Sequence, residues 1–87
     1  MRYFIVTFVR KVSGQIDEQV QIAKKLIEDD LTMANIILDF KEKKVKRCII
    51  DGREVPTNYE AIVNHYRDVY PEYIEQLEKD QESGNDE

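Results

Sequence analysis

Asn35–Ile50 reads NIILDFKEKKVKRCII. Two runs rich in β-branched and apolar residues flank a charged turn, Lys41 to Lys44, and that pattern predicts a β-hairpin. Ile36, Leu38 and Phe40 alternate onto one face. Two registers compete for the returning strand. A three-residue loop sets Cys48 opposite Leu38, Ile50 opposite Ile36 and Asp39 opposite Arg47. A loop one residue shorter pairs Phe40 with Val45 and Asp39 with Lys46. A slip of one residue turns the whole strand over, so burial decides between them. The first register gathers Ile36, Leu38, Phe40, Cys48 and Ile50 on one side. Its cost is Lys46 beside Phe40, where the lysine stem can lie along the ring.

On the C-terminal side, Asp51-Gly52 is a tight-turn pair that sends Arg53-Glu54-Val55 back as a stub of edge strand. Pro56 ends it, because proline cannot donate to a ladder. Thr57-Asn58-Tyr59-Glu60 has the form of a capping box, with Thr57 as the cap and Glu60 reaching back. Ile62, Tyr66, Val69, Tyr73 and Leu77 then recur at helical spacing, and Tyr59, Val63, Tyr70 and Ile74 widen the stripe. The apolar register runs through Pro71, which predicts one long helix kinked near that residue. Beyond Lys79 the chain is polar and acidic. It reads as a single domain over 1–80 and a disordered acidic tail over 81–87.

On the N-terminal side, Lys25–Ala34 lacks alternation and reads as a connection with at most one helical turn after Asp29 and Asp30. Arg2–Val12 is apolar on both faces: Tyr3, Ile5, Thr7 and Val9 on one, Phe4, Val6 and Phe8 on the other. Such a strand is central and covered above and below. Ser13-Gly14 offers a two-residue turn, which sets Val9 opposite Glu18, Thr7 opposite Val20, Ile5 opposite Ile22 and Arg10 opposite Asp17. Gln15–Lys24 is then a second strand. Its rival is a helix over Asp17–Leu31, built on Val20, Ala23, Ile27 and Leu31. The turn and the cross-strand pairing favour the strand. The fold class is therefore α+β: an antiparallel four-stranded sheet of two hairpins, with a short fifth edge strand at Arg53, under one C-terminal helix.

Composition bounds what such a domain does. Eighty-seven residues bury roughly 60–65% of their extended surface, enough for one core. Thirteen basic against eighteen acidic residues give a net charge of −5, so the molecule as a whole does not attract nucleic acid. One cysteine excludes an internal disulfide, and one histidine excludes a His-pair metal site. No apolar run approaches the length of a membrane span. No cofactor, metal site or membrane partner is expected, and the location expected is the cytoplasm.

Several residues could carry chemistry. His65 is a potential general base only if Asp68, three residues on, orients it; it otherwise reads as a half-exposed surface histidine. Cys48 lies near Lys46 and Arg47, but alternation aims those side chains elsewhere, and a packed, inert thiol fits better. Asp29, Asp30, Asp39 and Asp51 lack the spacing of a calcium loop. Lys41, Lys43, Lys44, Lys46 and Arg47 put five positive charges in seven residues. That tip could follow a phosphate backbone, although no aromatics are interleaved to stack bases, and lysines also keep an exposed hairpin from pairing. Tyr59, Tyr66, Tyr70 and Tyr73 on the helix are the candidate protein-binding residues. Only one helix is available to cover a first strand that needs cover on both faces. Either Lys25–Ala34 supplies the second layer, or a second chain does, a homodimer being the simplest form.

RYFIVTFVRK, GQIDEQV, DLTMANIILDFKEKKVKRC, IIDG and IVNHYRDVYP together resemble small uncharacterised proteins of T-even-type tailed bacteriophages, marine ones included. The resemblance covers about four-fifths of the chain and brings no catalytic motif. It implies a phage accessory protein acting in the cytoplasm of an infected bacterium. The expectation is a non-enzymatic interaction module that self-associates or binds a host protein. The alternative is a nucleic-acid accessory factor using the tip from Lys41 to Arg47.

Overall fold

The structure, a computed structural model, describes residues 1–84. Its elements are β1 (Tyr3–Arg10), β2 (Ile16–Ala23), α1 (Glu28–Met33), β3 (Ile36–Asp39), β4 (Lys44–Ile50), β5 (Arg53–Glu54), α2 (Tyr59–Val69) and α3 (Pro71–Glu82). The strands form one antiparallel sheet in the order β2-β1-β3-β4-β5. The expected α+β architecture is present, with the short fifth strand included. β2 is a strand and not a helix. The centre of the sheet is β3, with β1 beside it.

The main core lies under the helices. Phe4 and Val6 of β1 meet Ile36, Leu38 and Phe40 of the β3 side, Cys48 of β4, Val63 and Tyr66 of α2, and Ile74 and Leu77 of α3. On the opposite face Tyr3, Ile5 and Ile37 are buried with Ala34, and Leu26 and Ala23 close over them. The connection at Lys25–Ala34 therefore supplies the second layer itself. Arg47 holds it down, donating from Nε to the Ala34 carbonyl at 2.6 Å. The shortage of cover implied by the pattern of β1 does not arise, and that argument for a second chain falls away.

Three registers or caps differ from the sequence reading, each for a local reason. The first hairpin closes through a three-residue loop: Gly14 N–H donates to the Lys11 carbonyl at 2.9 Å, and Lys11 N–H to the Gln15 carbonyl at 2.8 Å. Gly14 takes a φ of 89°, which glycine alone adopts at no steric cost. Val9 consequently faces Asp17, Val6 faces Val20 and Phe4 faces Ile22. In the second hairpin neither predicted register forms. Ile36 faces Cys48 and Ile37 faces Arg47, but Leu38 faces Val45 and Asp39 faces Lys44. The extra residue, Lys46, is a β-bulge. It turns the strand over locally, so Val45 joins the core while Arg47 reaches the other face. At the helix, the N-cap is Asn58, not Thr57: Asn58 Oδ1 accepts from Ala61 N–H at 2.8 Å. The Asp51-Gly52 turn forms as read, with both residues at positive φ (54° and 74°).

Pro71 does more than kink a helix. The residue before a proline is pushed out of the helical region. Tyr70 accordingly sits at φ −130° and ψ 63°, ending α2, and Pro71 opens α3 at its first position. Arg67 and Glu78 then form a bidentate ion pair at 2.6 and 2.8 Å. Eleven residues along a straight helix they would stand about 16 Å apart. Their contact means that α3 turns back beside α2. The bend also retires two members of the predicted stripe: Val69 and Tyr73 are exposed, while Ile74 and Leu77 are fully buried. Helix α3 continues to Glu82, and Gln81 Nε2 donates to the Met1 carbonyl at 2.8 Å. Gln81 and Glu82 thus belong to the fold. Ser83 caps α3 and Gly84 follows it, and the remainder of the predicted tail, 85–87, lies outside the described residues.

Candidate protein-binding edge

Register decides what β2 presents. The slip in the first hairpin carries Glu18, Val20 and Ile22 to the helix-covered face, opposite Phe8, Val6 and Phe4. Glu18 there meets two tyrosines from the helical corner. Its Oε1 accepts from the Tyr66 hydroxyl and its Oε2 from the Tyr70 hydroxyl, each at 3.0 Å. Tyr66 is buried with its ring 5.0 Å from that of Phe4, and Tyr70 stacks on Tyr66 at 6.1 Å. One carboxylate thereby ties the break between α2 and α3 to the outermost strand.

This clamp has a pH signature. Burial, reinforced by the Glu18 carboxylate, pushes the Tyr66 phenol well above its ordinary value. The Glu18 hydrogen bond, with some burial, raises Tyr70. Burial raises Tyr59 to about 12, its ring lying edge-on to Phe40 at 5.4 Å. Groups with a raised folded pKa contribute stability that is complete below the unfolded value, about 10 for tyrosine, and is lost as pH rises through the folded value. The thermal midpoint should therefore hold up to about pH 9.5 and fall above about pH 10. Tyr59→Phe and Tyr66→Phe should each flatten part of that fall. An alkaline limb unchanged in both variants would rule this origin out.

β2 is also the outer edge of the sheet. The Lys11-to-Gln15 hydrogen bond makes the odd-numbered residues of β1 and β2 the hydrogen-bonded pairs. Asn35 N–H to the Val6 carbonyl, on the other side of β1, fixes the same phase. The N–H and C=O groups of Ile16, Glu18, Val20 and Ile22 consequently point away from the sheet. Beside them the apolar row is incompletely covered: Ile16 is 54% exposed, and Val20 and Ile22 are half-buried. Tyr73, 38% exposed, has its ring 6.0 Å from that of Tyr70. Among the four tyrosines singled out by sequence, Tyr73 presents surface, Tyr59 is half-buried, and Tyr66 and Tyr70 are engaged with Glu18.

The other strand margins are protected in the ways proteins protect edges. β5 is two residues long and Pro56 follows closely. Along β4, Lys44 and the bulged Lys46 are exposed beyond the reach of β5. The distal part of β1 outruns β3, but Asn35 Oδ1 accepts the Phe8 N–H there at 2.9 Å. β2 carries no proline and no lysine, and its eight pairs with β1 run without a shift.

The basic tip is less of a unit than its sequence suggests. Arg47 is engaged with the Ala34 carbonyl, and Lys44 pairs with Glu42 at 3.1 Å. Lys41, Lys43 and Lys46 are exposed. Lys41 and Lys43 face a groove of about 870 Å³ whose helical wall includes Glu60, Glu78 and Glu82. Glu78 is neutralised there by Arg67, and Glu60 and Glu82 oppose the approach of a phosphate chain.

The remaining candidates have structural partners. His65 is exposed with its ring edge-on to Tyr66 at 4.8 Å, and among the described residues no hydrogen bond joins it to Asp68. Cys48 is buried, and burial raises its thiol pKa, which keeps it protonated. Asp30 accepts from Ile27 N–H at 3.0 Å at the start of α1, Asp29 lies in the same turn, and Asp51 serves its own turn. Asp39 is completely buried against Arg2. Among the described residues no three His, Cys, Asp or Glu side chains converge as a metal site, and no helix is long and apolar enough to cross a membrane. Sequence reasoning missed which residues of β2 face the helices, because a one-residue longer loop changes the face of every residue in it. It missed the edge position of β2, because that follows from β3 pairing on the far side of β1. It missed the bulge as well, although Val45 and Cys48, three apart and both apolar, were its signature. No protein-family model, no curated protein and no solved structure matches the chain.

Proposed function

We propose that this chain is a non-enzymatic interaction module that works by strand addition at β2, self-associating or binding a host protein. The supporting observation is the open edge: eight residues of regular strand, outward-facing backbone groups, and a half-covered apolar row. Such an edge offers main-chain hydrogen bonds for affinity and alternate side chains for selectivity. A catalytic role has less support, because Glu18, Asp39 and Cys48 are each engaged in packing or hydrogen bonding. The resemblance to small phage proteins suggests the cytoplasm of an infected bacterium as the setting. A nucleic-acid role for the tip has less support, since Arg47 is committed to the Ala34 carbonyl.

The test is capture from bacterial lysate with the wild-type chain and Val20→Pro as baits. The Val20 N–H points outward, so proline there removes an edge donor while sparing the ladder with β1. A protein, or a second copy of the chain, retained by the wild type and lost with Val20→Pro is the expected result. Identical capture by both baits would sink the edge as the binding element.

A further inference from the structure

We infer that the occupant of the β2 edge is the β2 of a second copy, paired antiparallel about a two-fold axis at Val20. This rests on the strand-addition reading above and names its partner and register. Only even-numbered residues of β2 direct their backbone groups outward, so an antiparallel neighbour must pair even with even. Four symmetric registers within the strand meet that condition, centred on Glu18, Gln19, Val20 or Gln21. The one on Gln21 pairs only Gln19 to Ala23 inside the strand, where those on Gln19 and Val20 pair seven residues. Centring on Glu18 puts like charges face to face, which is destabilising. Centring on Gln19 sets each Glu18 against Val20. Centring on Val20 sets Val20 against Val20, Glu18 against Ile22, Gln19 against Gln21 and Asp17 against Ala23, with no like charges opposed.

Charge along the strand is compatible with the same register and favours an antiparallel partner of the same sequence. β2 is acidic at its start, Asp17-Glu18, and is followed by Lys24-Lys25. Antiparallel pairing about Val20 brings the acidic start of one copy alongside the basic end of the other, within diagonal reach of the long side chains. The two-fold axis is perpendicular to the sheet, so both helical layers lie on one side. The half-exposed Val20 and Ile22 of the two copies then cover one another. The union yields about six new backbone hydrogen bonds and closes the strand margin that, among the described residues, has no proline, lysine or bulge to protect it.

Register gives the test its specificity. Gln19 and Gln21 are both exposed, on the face away from the helices, and face each other across the axis. Sedimentation of the full chain from low micromolar to near-millimolar concentration should show monomer giving way to dimer. Gln19→Lys with Gln21→Lys should weaken the dimer about tenfold or more, and added salt should restore part of it. Gln19→Lys with Gln21→Glu sets opposite charges across the axis and should dimerise at least as well as the wild type. Val20→Pro should weaken it about tenfold while leaving the far-ultraviolet circular dichroism of the monomer unchanged. A dimer indifferent to all three variants would overturn the β2 register while leaving self-association standing. A chain monomeric throughout would overturn the proposal. If that monomer still captured a lysate protein in a Val20-dependent way, the strand-addition reading would survive with a different partner.

Discussion

Asp39→Ala is expected to cost about 3–5 kcal/mol of folding stability, enough to leave a domain of this size largely unfolded at ambient temperature. Asp39 is completely buried, and its side-chain hydrogen bonds all fall on its two carboxylate oxygens. Oδ1 accepts from Arg2 Nε at 2.9 Å, from Lys41 N–H at 3.0 Å and from Glu42 N–H at 3.2 Å. Oδ2 accepts from Arg2 Nη2 at 2.8 Å. The one carboxylate thus shapes the second hairpin's loop and neutralises the arginine that enters β1. Alanine would leave Arg2 beside the Tyr3 ring with only the exposed Glu42 as partner, and would leave two loop N–H groups without their acceptor. Asparagine keeps one acceptor and should lose less. Burial acts to raise the Asp39 pKa, but Arg2 and the loop N–H groups together outweigh it and hold the carboxyl below its ordinary value. A depressed folded pKa contributes stability above the unfolded value, near 4, that is lost as pH falls through the folded one. Urea unfolding of Asp39→Ala checks the magnitude, and its wild-type reference should lose stability only below about pH 4. A loss under about 1 kcal/mol would mean that water satisfies the loop and Arg2 equally well.

Asn35→Ala is expected to cost about 2–4 kcal/mol, the sum of two backbone groups left without partners. β3 begins only at Ile36, and beyond it β1 and β4 have nothing between them. Asn35 spans that gap. Its Oδ1 accepts from Phe8 N–H and its Nδ2 donates to the Ile49 carbonyl, both at 2.9 Å. Its own backbone continues the ladder on both sides, to Val6 at 2.8 Å and from Ile49 at 2.7 Å. Aspartate at this position can accept but not donate, so Asn35→Asp should fall between alanine and wild type. Amide hydrogen exchange gives the sharper reading. Phe8 N–H should lose its protection in Asn35→Ala, while Phe4 and Val6, within the β1–β3 ladder, keep theirs. Protection at Phe8 unchanged in the variant would contradict the bridging role.

What the chain's letters determined, taken alone, is the set of elements and their order. Alternation marked β1 and the β3–β4 hairpin, Asp51-Gly52 marked the turn into β5, and helical spacing marked Tyr59–Leu77. These are local signals, set by backbone sterics and by the period of apolar residues. Which helix face is buried after Pro71 was not local. Both continuations of the stripe are apolar, and the break at Tyr70 selects Ile74 and Leu77 over Tyr73. The same holds for the edge. Glu18, Val20 and Ile22 alternate in either register, and a single extra loop residue, stabilised by Gly14, chose the face that meets Tyr66 and Tyr70. Only the tertiary structure decided that Leu26 and Ala34 cover the second face, that Arg2 and Asp39 pair across 37 residues, and that β2 is the margin left open. Contacts between distant residues depend on register and on turns. A one-residue difference there reverses a face without altering the pattern that a sequence displays.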